Sequence, residues 1–201
     1  MIAARVLAVC LAVCLVVCMT AAALFAAPVK YTYWVQPCTD PASRCLPDDP
    51  QLAQWAFEAW QRASGGEIEF TRVKDKDHAR IRLYWASAEL GLYGETRPMA
   101  FEGHLGAEVY VLPSPLPVNG DRLLRDAIVY LTCLHESGHA LGLSHTAVFA
   151  DIMYSFQYGG DIEEYFGRYR RKLETRGDIA KNSGMSAADR ARLIEALNNH
   201  F

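Results

Sequence analysis

Apolar and polar positions alternate with period two in several short stretches and with helical period in a few longer ones. Lys30 to Val35 alternates and is rich in Tyr and Trp, which predicts a strand. Glu67 to Val73 and Ala79 to Trp85 alternate in the same way around the charged turn Lys74-Asp75-Lys76-Asp77, and Ala107 to Leu112 predicts a further strand. Leu52, Trp55, Phe57, Ala59 and Trp60 fall at helical spacing, so Gln51 to Ala63 reads as a helix, with Asp48 or Asp49 available as its cap and Ser64-Gly65-Gly66 as its stop. Glu89 to Gly106 is glycine-rich and reads as irregular. The longest predicted helix opens at Asn119-Gly120-Asp121 and runs to about Leu141, with Leu124, Ile128, Leu131 and Leu134 as its apolar stripe. A charged helix is expected from Asp161 to Arg176, and a last one from Ser186 to Leu197, where Ser186 and Asp189 are spaced as a capping box. Strands first and helices after, around one core, make an α+β domain.

The first 27 residues follow a different plan. No charge occurs between Arg5 and Lys30, and Ala21-Ala22-Ala23 and Ala26-Ala27 are small-residue ends to the apolar run. This is the form of a secretory signal peptide, or of a membrane anchor if it is not cleaved. Residues 28–201 are then the exported domain. Cys10, Cys14 and Cys18 read as small hydrophobes of the leader, and the valine before each one argues against lipidation. Cys38 and Cys45 flank a short Pro- and Asp-rich loop, and in an oxidising compartment they predict a local disulfide. Cys133 lies in an apolar stretch and reads as a buried, inert thiol.

Composition narrows the partners. The 201 residues carry 20 Lys and Arg against 23 Asp and Glu, a formal charge of −3. With neither a basic excess nor a basic run, nucleic acid is not an expected partner. A membrane is expected only if the leader is retained, and the sequence leaves the oligomeric state open.

The chemistry concentrates in His135-Glu136-Ser137-Gly138-His139-Ala140-Leu141-Gly142-Leu143-Ser144-His145, of the form H-E-x-x-H-x-x-G-x-x-H. Histidines four apart on a helix stand one turn above each other, so both imidazoles reach one metal ion. Glu136 adjoins the first ligand and can deprotonate a zinc-bound water. Gly142 can take the positive φ with which a chain leaves a helix sharply, returning His145 as third ligand. Three neutral nitrogens leave one position of a tetrahedral zinc open, the mark of a catalytic site. The competing readings are an amphipathic helix with surface histidines, a third ligand at Glu163 or Glu164, and a non-catalytic module that keeps zinc for folding.

This motif, followed by Asp151-Ile152-Met153-Tyr154 as a methionine turn eight residues after His145, resembles the metzincin zinc endopeptidases, and its wording and short spacing most resemble the matrixin branch. Tyr31 to Val35, Ala56 to Trp60 and Met185 to Leu197 resemble the first strand, first helix and last helix of a matrixin catalytic domain. The resemblance implies a twisted, mostly parallel sheet of about five strands, an active-site helix and C-terminal helices. It implies one catalytic zinc, a protein or peptide substrate lying along an edge strand, with Gly106 to Val111 as the candidate, and Met153 as a packing floor under the histidines. Met153 could also be an ordinary core residue. Against the family pattern, no pro-domain fits before Tyr31. Ser43 to Asp48 resembles the inhibitory cysteine switch but follows the first strand. His78 and His104 lack the structural-zinc pattern and read as surface residues, the calcium loops are not recognisable, and residues 158–184 read as an insertion beside the specificity pocket.

Overall fold

The computed structural model describes residues 27–87, 93–113 and 120–199. The leader expected over residues 1–27, apart from Ala27, lies outside the described residues, as do Asn119 and part of the segment expected to be irregular. Among the described residues five strands form one sheet: β1 Val29–Val35, β2 Ile68–Arg72, β3 Ile81–Trp85, β4 Gly94–Phe101 and β5 His104–Val111, in the spatial order β2-β1-β3-β5-β4. β1 is parallel to β2 and β3, β3 is parallel to β5, and β4 is antiparallel to β5. Four α-helices accompany the sheet among the described residues: α1 Asp49–Ala63, α2 Arg122–Ala140, α3 Ile162–Arg170 and α4 Ala187–Asn199. The expected α+β fold with a mostly parallel five-stranded sheet is the fold observed. Among the described residues no helix is long and apolar enough to cross a membrane.

Two expectations are corrected by β4. The stretch read as irregular forms an eight-residue strand, Gly94–Phe101, joined to β5 through Glu102 and Gly103, both at positive φ. That is the backbone of a tight hairpin turn. The apolar alternation is weak because β4 lies at the edge of the sheet, where Pro98 is tolerated and several side chains meet solvent. In consequence Gly106 to Val111 is not an edge. Its residues pair with β3 on one side and β4 on the other, so its backbone is occupied on both. The edge on that side of the sheet is Gly94–Phe101, with β2 at the opposite edge.

One face of the sheet builds the core. Tyr33, Val35, Ile81, Leu83, Val109 and Val111 point inward, onto Leu52, Phe57 and Trp60 of α1 and onto α2. The Trp60 indole donates to Leu134 O and Ser137 Oγ at 2.9 and 3.0 Å, locking α1 to α2 across 74 residues of sequence. The stripe expected on α2 is only half right. Leu131 and Leu134 are buried, but Leu124 and Ile128 are partly exposed, whereas Arg125, Asp126, Val129, Tyr130 and Cys133 are buried. The helix has neighbours on most sides, against α1, β4, β5 and α3, so one amphipathic stripe does not describe it. Cys133 is fully buried, and burial raises its thiol pKa well above the ordinary value.

Neither Asp48 nor Asp49 caps α1 with its side chain. Asp49 is fully buried and forms a two-pronged ion pair with the Arg125 guanidinium, while Asp48 accepts from Arg122 Nη2 at 2.8 Å. Asp126, also buried, accepts from Arg122 and Arg176. Electrostatic pairing has won both carboxylates from the helix terminus. The charged helix expected over Asp161 to Arg176 ends at Arg170, and the following residues fold into turns. At α4 the reciprocal cap is present: Asp189 N donates to Ser186 Oγ at 3.0 Å and Ser186 N to Asp189 Oδ2 at 2.8 Å.

Candidate metal centre

α2 starts from Asp121, whose carboxylate accepts from Leu124 N at 3.0 Å, and it carries both HExxH histidines on one face. It ends in a Schellman turn. Gly142 takes φ +88°, Gly142 N donates to His139 O at 2.9 Å, and Leu143 N donates to Gly138 O at 3.0 Å. A non-glycine residue would be strained there. The turn reverses the chain, and His145 arrives against the helix. Its Nε2 lies 3.2 Å from His135 Nε2 and 3.1 Å from His139 Nε2. Among the described residues these three histidines are the one group of three or more His, Cys, Asp or Glu side chains able to share a metal ion. Glu163 and Glu164 are not in it, and Glu164 is paired with Arg171 at 2.6 Å.

The backbone orients the imidazoles. His135 Nδ1 is 2.7 Å from Ile152 O in the methionine turn, and His139 Nδ1 is 2.7 Å from Leu143 O in the Schellman turn. A carbonyl can only accept, so each Nδ1 carries the proton and each Nε2 keeps its lone pair. Burial pushes His135 down to about 4 and also lowers His139, which keeps both neutral near pH 7.

The turn around Met153 is bonded to the segment just after His145 and to the last helix. Thr146 N donates to Met153 O, and Ser155 N to Thr146 O, at 2.8 and 3.1 Å. Met153 is fully buried, with its sulfur against Gly138 beside His139. Ile152 N donates to Asp189 Oδ2, and Asp151 accepts from Ser186, Arg192 and Thr146 at 2.7, 2.7 and 3.0 Å. Sequence reading missed Asp151 as an anchor. Its place at the head of the methionine turn was visible, but two of its three partners, Ser186 and Arg192, lie 35 and 41 residues away.

Burial alone would raise the Asp151 pKa, but those hydrogen bonds and the Arg192 charge outweigh it and hold the carboxyl below its ordinary value. A depressed folded pKa stabilises above the unfolded value of about 4 and is lost as pH falls through the folded one. Wild-type stability should therefore drop more steeply below pH 4 than that of Asp151→Asn. Urea midpoints across pH 2.5–6 check this, and parallel curves would count against it.

Glu136 is buried beside the triad. Its Oε2 accepts from Thr96 Oγ1 of β4 at 2.8 Å. Burial pushes its pKa up to about 7, against the opposing effect of that hydroxyl. The histidines and Glu136 line a largely apolar cleft of about 740 Å³ between the β4 edge and α3. Leu131, Tyr154, Ile162, Tyr165 and Phe166 form much of its apolar wall. Part of residues 158–184 therefore stands at the cleft. Elsewhere, Cys38 and Cys45 are disulfide-linked, and His78 and His104 are exposed and apart from the cluster.

No family model matches the chain. It is 29% identical over 115 residues to the hatching enzyme of Paracentrotus lividus, a match covering 52% of this chain and 18% of the relative. It is 26% identical over 143 residues to the interstitial collagenase of Oryctolagus cuniculus, covering 66% of this chain and 28% of the relative. The likeness is to metalloproteases. It supports that group at a coarse level and no particular member, and the chain spans less than a third of the length of either relative.

Proposed function

We propose that the chain is an exported zinc endopeptidase of matrixin type, in which His135, His139 and His145 hold one catalytic ion and Glu136 is the general base. One observation carries the reading: three imidazole nitrogens converge on an apolar cleft with a buried carboxylate on the adjoining helical residue. The donor set fits zinc, since two of the rings present Nε2 lone pairs fixed by backbone acceptors, and three nitrogens leave a coordination position open. When bound, zinc acts as a Lewis acid on the scissile carbonyl and lowers the pKa of water.

The chain's own residues do the rest. Glu136 takes a proton from the attacking water on its carboxylate and returns it to the nitrogen of the leaving amine. The backbone of β4 offers an open edge on which an extended peptide can pair, and the cleft beside it takes an apolar side chain and excludes water around the reacting bond. The Cys38–Cys45 disulfide supports an oxidising, extracytoplasmic setting. A zinc-bearing module without catalysis is the weaker reading, because a buried carboxylate adjoins the cluster.

The test is metal analysis beside hydrolysis of a fluorogenic peptide library, with and without chelator. The expected result is one zinc per molecule, with hydrolysis abolished by chelation and restored by zinc. Less than half an equivalent after zinc supplementation, or hydrolysis indifferent to chelator, would overturn the proposal. His145→Ala should lose both zinc and activity, whereas Glu163→Gln and Glu164→Gln should keep both.

A further inference from the structure

β4 borders the cleft, and Gly94, Thr96 and Pro98 on it all contribute to the cleft lining. In register they stand opposite Val111, Val109 and Ala107 of β5, all buried against the core. Thr96 reaches Glu136 from this side. Its hydroxyl lies 2.8 Å from Glu136 Oε2 and 2.8 Å from the Glu136 main-chain oxygen. A hydroxyl has one proton to donate, so the two acceptors share it. Gly94 approaches the same side chain so closely that a Cβ there would stand 2.6 Å from Glu136 Cγ and 2.8 Å from Oε1. Glu136 is thus confined by an element outside its own helix and outside the histidine cluster.

We propose that Thr96 is a positioning residue for Glu136: its hydroxyl holds Oε2, leaving Oε1 as the oxygen that takes the proton, and Gly94 leaves the space this orientation needs. The inference rests on the reading of Glu136 as base. A glutamate side chain has three rotatable torsions, and an untethered carboxylate is spread over several positions. Proton abstraction needs the acceptor within hydrogen-bond reach of the water, so a carboxylate displaced by an ångström costs rate without costing substrate binding. The strand that carries Thr96 is also an open edge, so base and substrate would be referenced to one element.

Thr96→Val keeps the branched shape and removes the donor. In zinc-loaded protein it should lower kcat for a fluorogenic peptide about tenfold to a hundredfold, the usual range for a hydrogen bond to a charged group. KM should stay within about twofold and zinc stoichiometry should not change. Thr96→Ser should restore most of kcat, which packing alone would not explain. Gly94→Ala should lower kcat with zinc retained.

A readout without activity comes from urea unfolding of metal-free protein. Thr96→Val should cost more in the wild-type background than in the Glu136→Ala background, by about fivefold or more in the unfolding constant. Equal costs in the two backgrounds would mean that the hydroxyl serves only the main-chain oxygen, and that would overturn the positioning role, as would a Thr96→Val kcat within about twofold of wild type. Wild-type protein that binds zinc and cuts no peptide would instead overturn the peptidase reading, and this role with it.

Discussion

Glu136→Gln is expected to keep one zinc per molecule while peptide hydrolysis falls by about three orders of magnitude. The amide is nearly isosteric with the carboxylate and can still accept from Thr96 through its carbonyl, so the cleft and the orientation of the side chain are preserved. What is lost is the capacity to take up a proton. General-base contributions of roughly 10²–10⁴ in rate are usual, and here the same group returns the proton to the amine. The measurement is zinc stoichiometry beside the rate of a fluorogenic peptide. Retained zinc with near wild-type hydrolysis would sink the mechanism. Loss of zinc and activity together would show that Glu136 supports the metal centre itself.

The largest effect on stability is expected from Asp49→Ala. Arg125 and Asp49 are both essentially inaccessible to solvent, and they pair through Nη1 and Nη2 of the guanidinium, with Asp126 close by. Removing one partner of a buried pair typically costs about 3–5 kcal/mol, and here Arg125 would be left with the more distant Asp126 carboxylate, at 3.5 Å, in place of the two-pronged contact. Asp49 Oδ2 also accepts from Leu46 N at 2.8 Å, so that donor loses its partner as well. Replacing both members by apolar residues, Asp49→Leu with Arg125→Met, is expected to cost far less, because the desolvated charges are removed together. Urea denaturation with an unchanged slope checks both. A midpoint shift for Asp49→Ala worth less than about 1 kcal/mol would mean that the pair contributes little to holding α1 against α2.

The candidate site was legible because its chemistry is local. His135, His139, Gly142 and His145 lie within eleven residues, and the positive φ at Gly142 with its Schellman bonds is a short-range consequence of a helix ending at glycine. Ser186 and Asp189 were legible for the same reason, since a capping box is completed within four residues. β4 was not. A strand at the sheet edge, open to solvent on several positions and interrupted by Pro98, carries little apolar alternation, and its existence depends on pairing with β5. The turn at Glu102-Gly103 was the one local signal that could have revealed it. Missing β4 led Gly106 to Val111 to be read as an edge strand.

By itself the sequence determined the α+β order of elements, the histidine constellation with its adjoining carboxylate, and the Cys38–Cys45 pairing, each written in residues close along the chain. The tertiary structure alone decided which edge strand borders the cleft, which carboxylates serve ion pairs instead of helix caps, and which hydroxyl bonds Glu136. Arg125 is buried on α2 because Asp49, 76 residues away, supplies a counter-charge. Thr96 is an unremarkable polar residue until β4 lies against α2 and brings it to Glu136 across 40 residues. The physical reason is the same in each case. Helix ends and ligand spacing follow from backbone geometry over one or two turns, whereas a buried charge or a shared proton is set by desolvation and contact, which exist only once distant segments have packed.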